Sequence, residues 1–426
     1  MLSACQGSNE PPLKGKREHI FSDRDQGQAP KKRVIPPVSK TKPSQAGAWP
    51  MPFVNTTNHI PALRQTPVSD HWEKGWTFSR GSWNNSYVLM PPIVAWGRVF
   101  FVSAGQVFCL EEATGKKVWS YKVVEEKTSV FLGGGCALWK DRLYVTSPEG
   151  GCFCFEAATG KLLWQQKTGI LLRAAPVVSG GRVFLLTTKN QLDVLDAVTG
   201  YPLWTHHGVP EDLQFLGASL PAVSGDKVVV CYSSGEIYQL NVKTGRVVWT
   251  YVMSPDMQIT ELSKMSDIVA SPVIQGGMVY IASSFQKTMA LDMTTGSVVW
   301  ERPVGGLQTP VILGQDLFLI EKDTLLRLDR RTGETLWLTK LTDRHQKADK
   351  PIPSRLWFGP VLLNDALYVL SDRGDIRLYR PHKGQAKEGG LSLSCDCAVL
   401  PVVGASSLLV LSKEGTLYSL VPTLKG

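Results

Sequence analysis

The side chains that could do chemistry are few and dispersed. Seven histidines stand at His19, His59, His71, His206, His207, His345 and His382, and none forms an HxxxH or similar ligand pair. His206 and His207 are consecutive on a strand, so they face opposite sides and cannot share a metal. The eight cysteines, Cys5, Cys109, Cys136, Cys152, Cys154, Cys231, Cys395 and Cys397, contain no CxxC, which removes the zinc-site and thioredoxin-like readings. "CFC" and "CDC" each place two thiols on one side of a strand, and buried free thiols or a disulfide both fit the set. There is no GxSxG nucleophile elbow and no GxxxxGK[ST] phosphate loop. "LGGGCALW" has three glycines but not the strand-then-helix setting that a phosphate cradle needs. Carboxylates are scattered. No catalytic residue, no metal and no cofactor is expected.

What remains is binding. The segment "THHGVPEDLQFLGASLP" carries Leu213, Phe215 and Leu216 in a polar setting. "TYVMSPDMQITELSKMSDIVASP" carries Met257, Ile259, Leu262 and Met265 beside Glu261 and Asp267. Apolar loop tips flanked by a few acids suit a protein partner. The alternative is that these side chains fold down and cover the ends of the structure beneath them.

The amino-terminal region has a different composition. Between Gln6 and Ser69 there are ten Lys/Arg against four Asp/Glu, so most of the formal charge of +9 sits there. The region is rich in Pro, Gln, Lys and Ser and cannot bury enough surface to offset its ordering entropy. It reads as a flexible basic tether from Gln6 to about Val68. It lacks the interleaved aromatic residues that single-stranded nucleic acid would require, and no nucleic acid is expected. "LSAC", ending at Cys5, has the form of a lipobox, in which the Cys accepts lipid. Met1 leaves no room for the charged start and apolar region that precede such a box. Either a leader lies upstream of Met1 or the tetrapeptide is a chance match. No run approaches 18 uninterrupted apolar residues, so no spanning helix is expected.

The loops need a scaffold, and the sequence writes it six times. "LEEATGKKVW", "FEAATGKLLW", "LDAVTGYPLW", "LNVKTGRVVW", "LDMTTGSVVW" and "LDRRTGETLW" align on Trp119, Trp164, Trp204, Trp249, Trp300 and Trp337, spaced 45, 40, 45, 51 and 37 residues apart. A period of that size marks a propeller or solenoid. Each unit reads as four short strands and no helix, as in "APVV", "RVFLLTT", "QLDVLD" and "YPLW". Gly115, Gly160, Gly200, Gly245, Gly296 and Gly333 each close a hairpin turn, where positive φ is needed. Asp196, Asn241, Asp292 and Asp329 can bond backbone amides in the same turn. Each Trp could bury roughly 200 Å², worth at most about 5 kcal/mol by area bookkeeping, and the natural place is between one sheet and the next. A seventh turn, "LYRPHKGQAKE", has Gly384 but Glu388 in the Trp place. The carboxy-terminal stretch supplies second and third strands and no fourth. "WTFSRG" at Trp76 resembles the stretches around the repeated Trp and has no strand triplet before it. The expected fold is therefore an all-β, eight-bladed β-propeller of four-stranded antiparallel blades, closed by an amino-terminal strand. It spans residues 70–426 behind a lipobox remnant and tether at residues 1–69; seven blades is the nearest alternative. The links from Trp204, Trp249 and Trp337 to the next unit are long, those from Trp164 and Trp300 short, and all should emerge on one face.

The repeated TGxxxW element resembles the pyrroloquinoline-quinone-like repeat family over residues of about 76 to 421. Quinoprotein dehydrogenases in that family use a central cofactor, calcium and commonly a pair of adjacent cysteines, and this chain has no adjacent cysteines. They remain the alternative. The segment Thr260 to Ile274 is similar to a loop of the BamB family of outer-membrane assembly lipoproteins, which also have a lipobox, a tether and eight blades. That resemblance implies a non-catalytic scaffold, lipid-anchored through Cys5 at the periplasmic face of a Gram-negative outer membrane. It implies docking on a POTRA domain of BamA within the BAM complex, with unfolded outer-membrane proteins as further partners and membrane contact by the anchor only. Leu213 and Phe215 fall on the family's apolar contact positions. Leu216 falls where the family often has Arg. Asp267 matches the first of two acids, with Val269 at the second. Gln6 after Cys5, rather than Asp, agrees with sorting to the outer membrane.

Overall fold

In the computed structural model the chain divides into two units, Met1–Pro37 and Val38–Gly426. The described residues are 44–45, 55, 63–64, 71–79, 86–88, 90–124, 131–132, 134–147, 149–172, 174–210, 219–253, 268–284, 287–341, 355–397 and 399–423, all in the second unit. They are strands and turns, with no helix among them.

Blades one to six each take four antiparallel strands from one continuous stretch. Blade three shows the pattern: Val177–Ser179, Arg182–Leu186, Gln191–Asp196 and Pro202–His207. Its first three strands are mostly buried, while the fourth alternates between exposed and half-buried positions. The same gradient recurs from blade to blade. It places first strands at the hub and fourth strands at the rim, where one edge of each sheet meets water. Blade seven (Trp357–Leu363, Ala366–Ser371, Ile376–Tyr379, Ala386–Lys387) has a fourth strand of only two residues. Its sheet is lengthened at the other side by two short parallel strands, Leu63–Arg64 and Ser44–Gln45, which lie in the stretch read as tether.

Blade eight is composite. Val402–Val403, Leu408–Leu411 and Leu417–Pro422 come from the carboxy-terminal end, and Trp72–Phe78 pairs antiparallel with the last of them, Trp72 opposite Pro422 and Phe78 opposite Leu417. The first strand of blade eight also lies beside Ile93–Ala95, the first strand of blade one. The ring is thereby closed by the amino-terminal strand, as the sequence predicts. Glu112 adds a clasp across that junction by accepting from the Ala405 amide at 2.7 Å.

The repeat is stitched by its indoles. Trp76, Trp119, Trp164, Trp204, Trp249, Trp300 and Trp337 each donate Nε1–H to a backbone carbonyl of the following blade, those of Glu112, Ala157, Ala197, Val242, Met293, Arg330 and Pro381, at 2.7–3.2 Å. The indole then lies flat on the turn glycine three residues beyond that carbonyl. A β-carbon on Gly245 would sit 2.7 Å from the Trp204 ring, and one on Gly115 would sit 2.5 Å from Trp76. The turn glycine therefore answers two demands: positive φ, +69° at Gly245, and close approach of the neighbour's ring. Only Trp249 and Trp300 are fully buried; the other five are partly exposed, so the area estimate is an upper bound for them. In blades one to six the register shifts immediately after the residue opposite the Trp, a bulge that re-aims the rim strand. Cys109 and Cys154 occupy that opposite position, as do Val194, Gln239, Ala290 and Arg327, so small side chains are common there but not required.

Candidate functional site

Two faces result from the strand directions. One carries the TG turns. The other carries the links from each rim strand to the next hub strand, together with the turns between second and third strands. On the link face the residue after several rim strands is tied back to its own blade: Thr168 N–H donates to Gly150 O, Gly208 N–H to Asn190 O and Met253 N–H to Gly235 O, at 2.8–2.9 Å. Exposed apolar side chains punctuate this face at Leu171, Val209, Leu307 and Leu356, one on each of four links and each about half exposed.

The loop tips lie beyond what the structure describes. Leu213, Phe215 and Leu216 fall in residues 211–218, Glu261 and Asp267 in residues 254–267, and Cys5 in the amino-terminal unit, all outside the described residues. Their stems are described. The first loop leaves blade three at His207. The Asn190 side chain, on a turn residue at φ +52°, donates to Val209 O at 2.8 Å and accepts from Ser233 Oγ at 2.9 Å. The Val209 amide donates to Glu236 Oε2 at 2.6 Å, and Glu236 also accepts from Ser234 Oγ at 2.9 Å and Tyr238 OH at 2.8 Å. Burial works to raise the Glu236 carboxyl, but the Val209, Tyr238 and Ser234 donors outweigh it and hold it below its ordinary range. His206 stacks on Tyr232 and meets the Tyr232 hydroxyl through Nδ1 at 2.8 Å. Burial, with the neighbouring His207, lowers the basicity of His206 against the opposing pull of Glu236. His207 is exposed, so the two histidines do part to opposite sides.

The first loop returns at Ser219 and Leu220, the second at Ile268 to Ser271. The Leu220 amide donates to Ser271 Oγ at 2.8 Å, and the Ser271 amide donates to Thr309 Oγ1 at 3.1 Å. Three successive links are therefore fastened side by side at their roots. The described stems of the two loops thus share one platform, and Met253, Leu220 and Ile268 are buried within it. Sequence reasoning did not single out Asn190, Glu236, Ser271 or Thr309: Asn190 is a turn residue, Glu236 opens a third strand, and Ser271 and Thr309 precede the prolines of two links, so no shared motif marks them. Among the described residues no three of His, Cys, Asp and Glu converge as metal ligands would.

A closed wheel of indole-docked, four-stranded blades with one loop-bearing face defines the pyrroloquinoline-quinone-like repeat propellers. Within that class, the family model described as outer membrane protein assembly factor BamB matches residues 103–339. The chain belongs to the BamB family. The outer membrane protein assembly factor BamB of Yersinia pestis is 26% identical over 358 residues, which is 81% of this chain and 88% of that relative. The crystal structure of BamB from Moraxella catarrhalis superposes with a TM-score of 0.68 at 19% identity, covering 82% of this chain and 99% of that one. A europium-containing methanol dehydrogenase reaches a TM-score of 0.69 at 14% identity, over 88% of this chain and 98% of that one, and shows the shared fold alone.

Proposed function

We propose that this chain is an assembly factor for outer-membrane proteins that works by docking rather than by chemistry. The link face holds a POTRA domain of BamA through Leu213, Phe215 and Leu216 on one loop and Glu261 and Asp267 on the other. Residues 70–426 form the rigid wheel, and residues 1–69, of which Ser44–Gln45 and Leu63–Arg64 lie along blade seven, tether it to the periplasmic face of the outer membrane through lipid on Cys5. The observation that carries the reading is the Leu220–Ser271 bond, which roots both loops on one platform in a chain of this family. Loops on a rigid scaffold lose less freedom on binding than free ones, which favours affinity.

The test is the double substitution Leu213→Asp with Phe215→Asp in the full chain, titrated calorimetrically against a BamA POTRA fragment. Loss of two apolar anchors should weaken binding at least about tenfold, with the melting temperature unchanged. Unchanged affinity in a folded double variant rejects the loop assignment. Quinoprotein chemistry has fold likeness behind it and nothing from the residues: the sequence has no adjacent cysteines.

A further inference from the structure

Six junctions between blades are stitched by an indole from the preceding rim strand, as is the closing one from blade eight to blade one. The junction from blade seven to blade eight is not: Glu388 stands in the Trp place, and blade eight has no TG turn to receive a ring. The chain instead lays a strap across it. The Ile376 amide donates to Leu391 O and the Leu393 amide to Gly374 O on the blade-seven side, at 2.8 and 2.9 Å. The Cys397 amide donates to Asp372 O, and the Lys413 amide on blade eight donates to Asp396 O, both at 2.8 Å. The strap contains Cys395 and Cys397. Their sulfurs lie 3.8 Å apart, in hydrogen-bonding contact, and the chain bends at Ser394 and Cys395.

This pair differs from the other described thiols. Cys109, Cys136, Cys152, Cys154 and Cys231 are buried at 0–1% exposure. Burial pushes the Cys109 thiol up to about 12 and that of Cys154 to about 11, and it raises the other three as well, so all five are protonated and inert. Cys395 is only partly buried. The hydrogen bond from Cys397 holds its thiol below the ordinary range, aided by Lys74 of the closing strand and by the Tyr418 hydroxyl, against burial and Asp396. Cys397 moves the other way, raised by the same bond and by its burial. One thiol is thus prepared to attack, and its neighbour stands behind it.

We propose that Cys395 and Cys397 form a redox-active dithiol that exchanges with disulfides, with Cys395 as the attacking sulfur and Cys397 as the resolving one. Cys395 thiolate attacks one sulfur of an external disulfide RSSR, forming the Cys395–SR mixed disulfide and releasing RS⁻. Cys397 then gives up its proton to the medium and attacks Cys395 Sγ, closing the Cys395–Cys397 bond and releasing the second RS⁻. Two protein thiols lose two electrons and two protons, and RSSR becomes two RSH. The sulfurs need only rotate from 3.8 Å to bonding distance, about 2.05 Å, within a bend already formed.

The test uses the full chain, glutathione disulfide as oxidant, acid quenching, alkylation and peptide mass spectrometry. The peptide carrying Cys395 and Cys397 should lose both alkylation sites together and two hydrogens of mass, while the five buried thiols remain reduced. In Cys397→Ser a glutathione adduct should accumulate on Cys395; in Cys395→Ser the site should react at least about tenfold more slowly. A second measurement needs no variant: under native conditions Cys395 should be alkylated at least about tenfold faster than Cys109, Cys136, Cys152, Cys154 and Cys231. Two glutathione adducts on the native pair, no loss of alkylation at any oxidant ratio, or labelling of Cys395 no faster than of the five overturns the proposal.

Discussion

At the scale of single residues, the recurring decision is the pairing of an indole with a glycine from the next blade. Gly245→Ala forces a β-carbon into the left-handed region and against the Trp204 ring, and should cost about 2–4 kcal/mol in urea unfolding. Trp204→Ala removes the ring that the new methyl would strike. The two substitutions should therefore cost less together than their sum, by a margin above the roughly 0.5 kcal/mol expected of independent sites. Strict additivity would separate the glycine from the indole. The stem of the first loop has its own signature. His206 is a base whose folded pKa is depressed, so the unfolded chain holds more protons below about 6.5. The penalty is absent above that value and grows as pH falls through the window beneath it. Glu236 is depressed too, and its contribution is lost at still lower pH, as the solution falls through its folded value. Unfolding free energy should decline on acidification from pH 7, and His206→Gln should flatten the upper part of the slope. Much of this scale is legible in the letters: Asp196, Asn241, Asp292 and Asp329 accept from amides two and three residues on, as turn chemistry dictates. The second duty of the turn glycine is not legible within one unit, because its cause is an indole in the unit before.

At the scale of elements, the same pairing explains where the repeat stops. Gly384 is kept in blade seven because Trp337 of blade six lies on it, and Trp gives way to Glu388 because blade eight offers no glycine turn. Blade seven should be the least protected rim. In native-state hydrogen exchange, the amides of Ala386–Lys387 should exchange faster than those of Leu162–Lys167, Val247–Val252 or Thr335–Lys340, whose strands carry indoles. Equal protection would mean that the strap compensates fully. Closure was readable from "WTFSRG" because a rim strand without its own triplet must belong to another blade. The short strands Ser44–Gln45 and Leu63–Arg64 were not readable, since two residues carry no alternation and their pairing comes from a distant partner.

At the scale of the whole molecule, the unequal links matter because their roots are joined. Ser271→Ala deletes the hydroxyl that accepts from Leu220, at a cost of about 0.5–1.5 kcal/mol in stability. If the two loops act as one surface, affinity for a POTRA fragment should fall by more than this local cost implies for folding. If affinity is unchanged while the melting temperature drops, the loops bind independently. The face bearing these loops followed from the sequence, because link lengths between repeats are countable. The platform beneath them did not, because side chains such as Asn190, Glu236 and Thr309 look like any polar residue of a turn, strand end or link until the blades are set next to each other.

Closure by Trp72–Phe78 also has a cost in time. That strand is made before any blade, yet its partner Leu417–Pro422 is made only after seven blades have followed. At roughly 5–20 residues per second the early strand waits for tens of seconds with no edge to pair. A nascent chain of this kind is an unfinished circle throughout that interval, and whatever shelters it must do so until Leu417–Pro422 has emerged.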